Sequence, residues 1–178
     1  PDHAGLLHER AVIYETMKQW DKAFADYDKA IGLAPQNHSL YRDRGRAHSQ
    51  LNQWDKALAD YEQAIKLNPD DSVVSLIRAQ ILLMADRSDE YRQTCLQILD
   101  RFGQSEDWEV FCHAARACVL APQGVPDPAV PVDLARRAVS SNPREWTLYT
   151  LGMAHLRAGD LDEAERRFQE SLKTVPSW

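Results

Sequence analysis

The sequence predicts an all-α array of about five antiparallel helix pairs, and three observations carry that prediction. Residues 20–35 read WDKAFADYDKAIGLAP and residues 54–69 read WDKALADYEQAIKLNP, identical at eleven of sixteen positions with an offset of 34 throughout. Apolar residues within both copies recur at steps of three and four, the spacing of one helix face. Each copy ends in a proline, Pro35 and Pro69, which cannot continue a helix without losing a hydrogen bond and clashing with the turn before it. A fixed period of this length marks a stacked array, in which no unit buries its apolar face alone.

At 178 residues the chain holds about five such units and reads as one domain, with units over residues 4–37, 38–71, 72–105, 106–143 and 144–178. In the first unit Leu7, Ala11 and Tyr14 mark one helix. A turn at Gln19-Trp20 follows, and Asp21 is positioned to cap a second helix running to Leu33. The second helix carries Ala23, Phe24, Tyr27, Ala30 and Ile31 on its apolar face. The second unit repeats the design with Tyr41, Gly45 and His48, then Ala57, Tyr61 and Ala64. Small residues belong where two helices cross closely, so Ala11 is expected to face Ala23 and Gly45 to face Ala57, with Tyr27 and Tyr61 filling the space between units.

The third unit keeps the period with Ala79 and Leu82, then Cys95, Ile98 and Leu99, and Arg87-Ser88-Asp89 is expected to make its turn. Tyr91 occupies the place of Ala57, so this pair is expected to splay or shift; Gly103 is expected to form a left-handed cap. In the fourth unit Phe111, Ala115 and Cys118 place a helix from about Trp108 to Leu120. The stretch PQGVPDPAVP over residues 122–131, with Pro122, Pro126, Pro128 and Pro131, then predicts an extended loop that folding does not need. A helix is expected to restart near Pro131 or Val132 and run to Asn142-Pro143. The fifth unit is two amphipathic helices joined by Gly159-Asp160.

These positions resemble the tetratricopeptide repeat. Its pattern is met by Leu148, Leu151-Gly152, His155, Ala164, Phe168 and Pro176, and in part by Ala23 with Tyr27 and Ala57 with Tyr61. The resemblance implies a right-handed superhelix whose first helices line a concave peptide-binding groove. On this chain it assigns to the groove His8, Val12, Arg42, Arg46, Leu76, Gln80, Cys112, Arg116, Tyr149 and Met153, together with Trp146 early in a first helix. Arg42, Arg46 and Arg116 suit an acidic segment, since guanidinium forks match carboxylates. Trp146, Tyr149 and Met153 suit an apolar anchor. The family's two-carboxylate clamp for chaperone tails wants Lys and Asn where this chain has His8, Val12, Arg46, Leu76 and Gln80, so that ligand is not expected.

Nothing in the sequence announces catalysis: no GxSxG, no glycine-rich phosphate loop, no HExxH and no DxDxDG are present. The chain is therefore read as a non-enzymatic scaffold without metal or cofactor. Cys112-His113 with Cys118 matches no zinc spacing, and His48 and His155 read as packed inter-helix residues. Trp20 and Trp54 are read as covers for helix ends, and Asn37-His38-Ser39 as a chance match to a glycosylation acceptor. Asp70-Asp71 and Asp89-Glu90 fall at helix starts, where they oppose the helix dipole. A net charge of −6 argues against nucleic acid, and no apolar run is long enough for a membrane span. Cys95, Cys112 and Cys118 are odd in number and suit a reducing cytoplasm.

The expected partner is a peptide or protein, acidic or acidic-apolar. The last two units resemble repeat tails of large bacterial multidomain proteins, so the alternative is a regulatory or assembly tail of a larger enzyme such as a signalling kinase. The opening at Pro1 without an initiator Met reads as a domain of a longer protein. Apolar ends at Leu6, Leu7 and Ile13, and at Phe168, Leu172, Val175 and Trp178, predict a weak homodimer through an uncapped end of the array.

Overall fold

The computed structural model describes residues 3–174, and within them the chain is an all-α solenoid of helix pairs with no strand. The helices are α1 (His3–Thr16), α2 (Trp20–Leu33), α3 (His38–Gln50), α4 (Trp54–Leu67), α5 (Ser72–Met84), α6 (Ser88–Phe102), α7 (Trp108–Val119), α8 (Ala129–Ser141), α9 (Glu145–Ala158) and α10 (Leu161–Thr174). The chain divides into two compact units, Pro1–Val74 and Ser75–Trp178. Pro176, Val175 and Trp178, which the sequence assigns to the repeat pattern and the array end, lie outside the described residues.

The 34-residue period is written into the backbone. Lys18, Asn52 and Asp86 all take a left-handed conformation, with φ of 57, 55 and 58°. Each follows a first helix, and the next residue's N–H reaches back five positions: Gln19 to Tyr14 O at 2.9 Å, Gln53 to His48 O at 3.0 Å, Arg87 to Leu82 O at 2.8 Å. This six-to-one bond satisfies a carbonyl that the helix end would otherwise strand. Gly159 closes α9 in the same way at φ 81°, with Asp160 N–H bonded to His155 O at 3.0 Å. The third turn thus runs through residues 85–87, two residues before the expected Arg87-Ser88-Asp89. Gly103 is not left-handed: its φ of −62° and ψ of −24° continue α6, and its N–H bonds Leu99 O.

A side-chain pin repeats with the same period. Arg10 grips Asp26 at 2.6 and 2.9 Å, and Arg44 grips Asp60 at 2.8 and 2.6 Å, each tying a first helix to its second across sixteen residues. At the third place Arg78 donates to the Thr94 hydroxyl. The small residues meet where expected. Ala11, Ala23, Tyr27 and Ala47 form one buried cluster in the first compact unit. A Cβ on Gly45 would lie 3.2 Å from Tyr61 Cε1 and 3.3 Å from the Ala57 carbonyl, so α3 and α4 touch at the backbone. Asp21 sits in the first turn of α2 rather than capping it; Gln19 is the cap residue. Asn37 caps α3, its side chain accepting from Ser39 N–H at 3.1 Å, which gives that tripeptide a structural role.

In the second compact unit the Tyr91 substitution is absorbed by exchange. Ala57 and Tyr61 become Tyr91 and Cys95, so the large and small members of the pair trade places one helical turn apart, and both are buried. The Tyr91 ring reaches to α7, where its hydroxyl donates to Ala117 O at 2.9 Å and accepts from Ala121 N–H at 3.2 Å. The proline-rich stretch is anchored there too. Gly124 is buried, and a Cβ on it would lie 2.4 Å from the Cys118 carbonyl and 2.7 Å from the Tyr91 hydroxyl. α8 begins at Ala129, earlier than expected, because Asp127 accepts the Ala129 N–H at 2.9 Å and proline is tolerated in a first turn.

Candidate functional site

First helices carry the residues that the sequence assigns to a groove, and these residues differ in kind between the two compact units. In the first, α1 and α3 bring together His8, Val12, Arg42 and Arg46. His8 Nε2 lies 2.8 Å from Asp43 Oδ2, and Arg42 Nε donates to Asp43 Oδ1 at 3.1 Å. Arg46 reaches Glu15 at 3.3 Å. Glu15 is itself buried and also accepts from the Tyr27 hydroxyl at 2.8 Å and from Gln50 at 2.6 Å. Burial pushes the Asp43 carboxyl up, but the hydrogen bond and charge of Arg42, with His8 and Arg46, more than reverse it and hold it below its ordinary value. Burial and the bond to Glu15 push the Tyr27 phenol well above its own. Val12 packs half-buried against the alanine-tyrosine cluster. Both arginines of this face are therefore neutralised from within the chain.

Sequence reasoning missed Asp43 and Glu15. Nothing in the local spacing shows that Arg46 meets a carboxylate 31 residues earlier. The only sign was an acidic residue inside an otherwise apolar face.

In the second compact unit α7 and α9 pack against each other. The Arg116 guanidinium sits 5.7 Å from the centre of the Trp146 ring, and Trp108 meets Trp146 at 5.5 Å and 43°. Tyr149 is exposed and meets Phe168 at 5.6 Å, with Met153 half-buried on the same helix. Among the described residues Arg116 is paired with no carboxylate. Trp108, which the sequence used only to start a helix, completes this cluster. Its position as the first residue of α7 is set by Asp107, whose side chain accepts from Glu109 N–H at 2.9 Å.

Two assigned residues leave the set. Cys112 is fully buried in α7; burial pushes its thiol up to about 11 against the opposing effects of Arg116 and Thr150. Leu76 is buried in α5, where Gln80 is half-buried. Carrying family positions onto α5 and α7 counts turns correctly, but it cannot show that an apolar residue has found a core to enter.

The histidines read as packed residues are so. His48 stacks on Phe24 at 4.3 Å and 15° and contacts Gln53 at 2.8 Å, and burial lowers its pKa. His155 is buried beside Asp160 at 3.1 Å. A cleft of about 550 Å³ in the first compact unit is lined by Trp20, Phe24, Asp28, Arg44, His48 and Lys56. Its arginine is already held by Asp28 and Asp60. Among the described residues no group of three or more His, Cys, Asp or Glu is placed to hold a metal, and no helix is long and apolar enough to cross a membrane.

Comparison with known proteins bears on the fold. Tetratricopeptide repeat models match residues 12–82 and residues 146–178. Comparison with curated proteins finds no match. Among solved structures, residues 41 to the end of MamA from Desulfovibrio magneticus RS-1 superpose with a TM-score of 0.66 at 15% identity, covering 98% of this chain and 96% of that one. PilW, described as a widely conserved type IV pilus biogenesis factor, gives 0.70 at 18% identity over 98% of this chain and 79% of its own. YrrB, described as a tetratricopeptide repeat protein with an unusual peptide-binding site, gives 0.63 at 12% identity over 96% and 86%. With the repeat models spanning more than half of its length, and the period of 34 repeated in its turns, its ion pairs and its small-residue contacts, the chain belongs to the tetratricopeptide repeat family.

Proposed function

We propose that the chain is a non-catalytic protein-interaction scaffold that holds an extended acidic-apolar segment against the first helices of its pairs, with Arg116, Trp146 and Trp108 as the main anchor. One observation supports this above the others: Arg116 is the groove arginine with no carboxylate partner among the described residues, and it lies 5.7 Å from the centre of an indole that also meets a second indole at 5.5 Å. A peptide carboxylate meets a cation there, and a neighbouring apolar side chain meets aromatic surface. Within the second compact unit Tyr149 and Met153 extend the apolar part and Gln80 adds a polar contact; within the first, His8, Val12, Arg42 and Arg46 offer polar and aliphatic contacts of their own. The description of YrrB as having a peptide-binding site is in keeping with this reading. Three free, buried thiols suit a reducing compartment, and the cytoplasm is the location that goes with it.

The test is selection from a random peptide library on the immobilised chain. Enriched sequences should pair Asp or Glu with Leu, Phe or Trp. Arg116→Glu should weaken the selected peptide by roughly tenfold or more, about the value of a cation–π contact and a charge pair together, and Trp146→Ala by a similar factor. Selection of basic peptides, or equal affinity for Arg116→Glu, overturns the proposal.

A further inference from the structure

Internal repetition shows what covers an exposed helix stripe in this molecule. Positions 40, 47 and 51 of α3 correspond through the 34-residue period to positions 6, 13 and 17 of α1. Leu40 and Ala47 are 1% and 0% exposed, whereas Leu6 and Ile13 are each 55% exposed, and Met17 is exposed with them. The difference is α2, which packs on α3. It does so through Ala23 and Tyr27 in the cluster with Ala47, through Phe24 stacked on His48 at 4.3 Å, and through Asp28, which pairs with Arg44 at 2.7 Å.

The helix equivalent to α2 in the last pair is α10. Aligning Ala23 with Ala164 places Leu161 at Trp20, Glu165 at Phe24, Phe168 at Tyr27 and Leu172 at Ile31. Tyr27 and Tyr61 are fully buried at their position, while Phe168 is only half-buried. Leu161 and Leu172 are 63% and 73% exposed. Among the described residues the α10 stripe of Leu161 and Leu172 and the α1 stripe of Leu6, Ile13 and Met17 are thus both exposed, one on a second helix and one on a first.

From this register we infer that α10 of one copy docks on α1 of the next, repeating between molecules the contact that α2 makes with α3 inside one. Leu161, Phe168 and Leu172 then cover Leu6, Ile13 and Met17. The charges agree with the same register. Phe24 lies over His48, so Glu165 lies over its counterpart Tyr14, whose ring is flanked by Arg10 at 5.9 Å and Lys22 at 5.4 Å. Arg44 holds two carboxylates, Asp60 from its own pair and Asp28 from the preceding one, whereas Arg10 holds Asp26 alone among the described residues. The counterpart of Asp28 is Gln169, whose amide oxygen offers Arg10 an acceptor, and Glu165, one turn before it on the same face, brings the negative charge. Because the two faces differ, the contact is heterologous and does not close at two copies; it propagates head to tail.

Sedimentation of the whole chain from micromolar to millimolar concentration tests this. The weight-average mass should climb past twice the 20.3 kDa of one chain. Ile13→Glu and Leu172→Glu each lie on exposed positions, so each variant should keep its helical circular dichroism. Each should raise the apparent dissociation constant by at least tenfold and sediment as one chain. Mixed in equal amounts, the two variants should form a two-chain complex and nothing larger, since one intact α10 and one intact α1 remain. Leu6→Glu with Leu161→Glu provides a second pair should either of the first misfold. A wild-type chain that stays at one-chain mass, a single variant that still associates, or a mixture that stays monomeric overturns the inference.

Discussion

The Tyr91 hydroxyl is predicted to be the principal fastening of the proline-rich stretch and of the C-terminal end of α7. It donates to Ala117 O at 2.9 Å and accepts from Ala121 N–H at 3.2 Å, in a position shut off from water. Tyr91→Phe keeps the ring and its packing but removes both bonds, leaving the Ala121 amide without this acceptor and the Ala117 carbonyl with the weak Cys95 thiol donor at 3.6 Å in place of the phenol. Leaving a buried polar group unpaired costs about 1–3 kcal/mol, and some solvent reaches Ala121, so the expected loss is about 2–4 kcal/mol. For a chain of this size that is a fall in melting temperature of about 5–15 °C. Circular dichroism melts give the total, and amide exchange read at Ala121 locates it, since that N–H loses its acceptor. The same contact forbids a side chain on Gly124, whose added Cβ would sit 2.4 Å from the Cys118 carbonyl and 2.7 Å from the hydroxyl. Gly124→Ala should therefore destabilise alone, and by a smaller increment in the Tyr91→Phe background, where part of the clash is gone. A melting temperature unchanged by Tyr91→Phe, with Ala121 exchange unchanged, refutes the argument and returns the stretch to the dispensable loop that its four prolines suggest.

Acid should unfold the first compact unit through Asp26 and Asp43. Arg10's hydrogen bond and charge, working against burial, hold Asp26 below the ordinary 3.8, and Arg42 with His8 and Arg46 does the same for Asp43 against a larger burial effect. A carboxyl with a lowered folded pKa stabilises fully above its unfolded value and loses that contribution as pH falls through the folded one. Melting temperature should thus fall steadily below about pH 4, and less steeply in Asp43→Asn; an equal slope would remove Asp43 from the account. Lys18→Gly should stabilise by about 1 kcal/mol, because a left-handed lysine is strained where glycine is not; a lower urea midpoint would contradict this. Cys112 should resist thiol reagents at neutral pH, since burial raises its pKa to about 11, and react once urea opens the chain; fast labelling of the folded protein would show the site open.

Much of the fold was legible before any coordinates. Helix periodicity, the stops at Pro35 and Pro69 and the turn at Gly159 are local properties, fixed within one or two turns of chain, and the period of 34 multiplied them into a solenoid of pairs. Even Ala11 against Ala23 and Gly45 against Ala57 could be read, because a close helix crossing admits only small residues. What the tertiary structure alone decided is which distant side chains meet. It brought His8 to Asp43 and Glu15 to Arg46, and left Arg116 over Trp146. It buried Leu76 and Cys112, turned Tyr91 toward α7, and drew Gly124 onto Cys118. A helix pattern states which face a residue occupies, but charge compensation and burial depend on what another segment brings to that face, and that is a property of packing rather than of spacing.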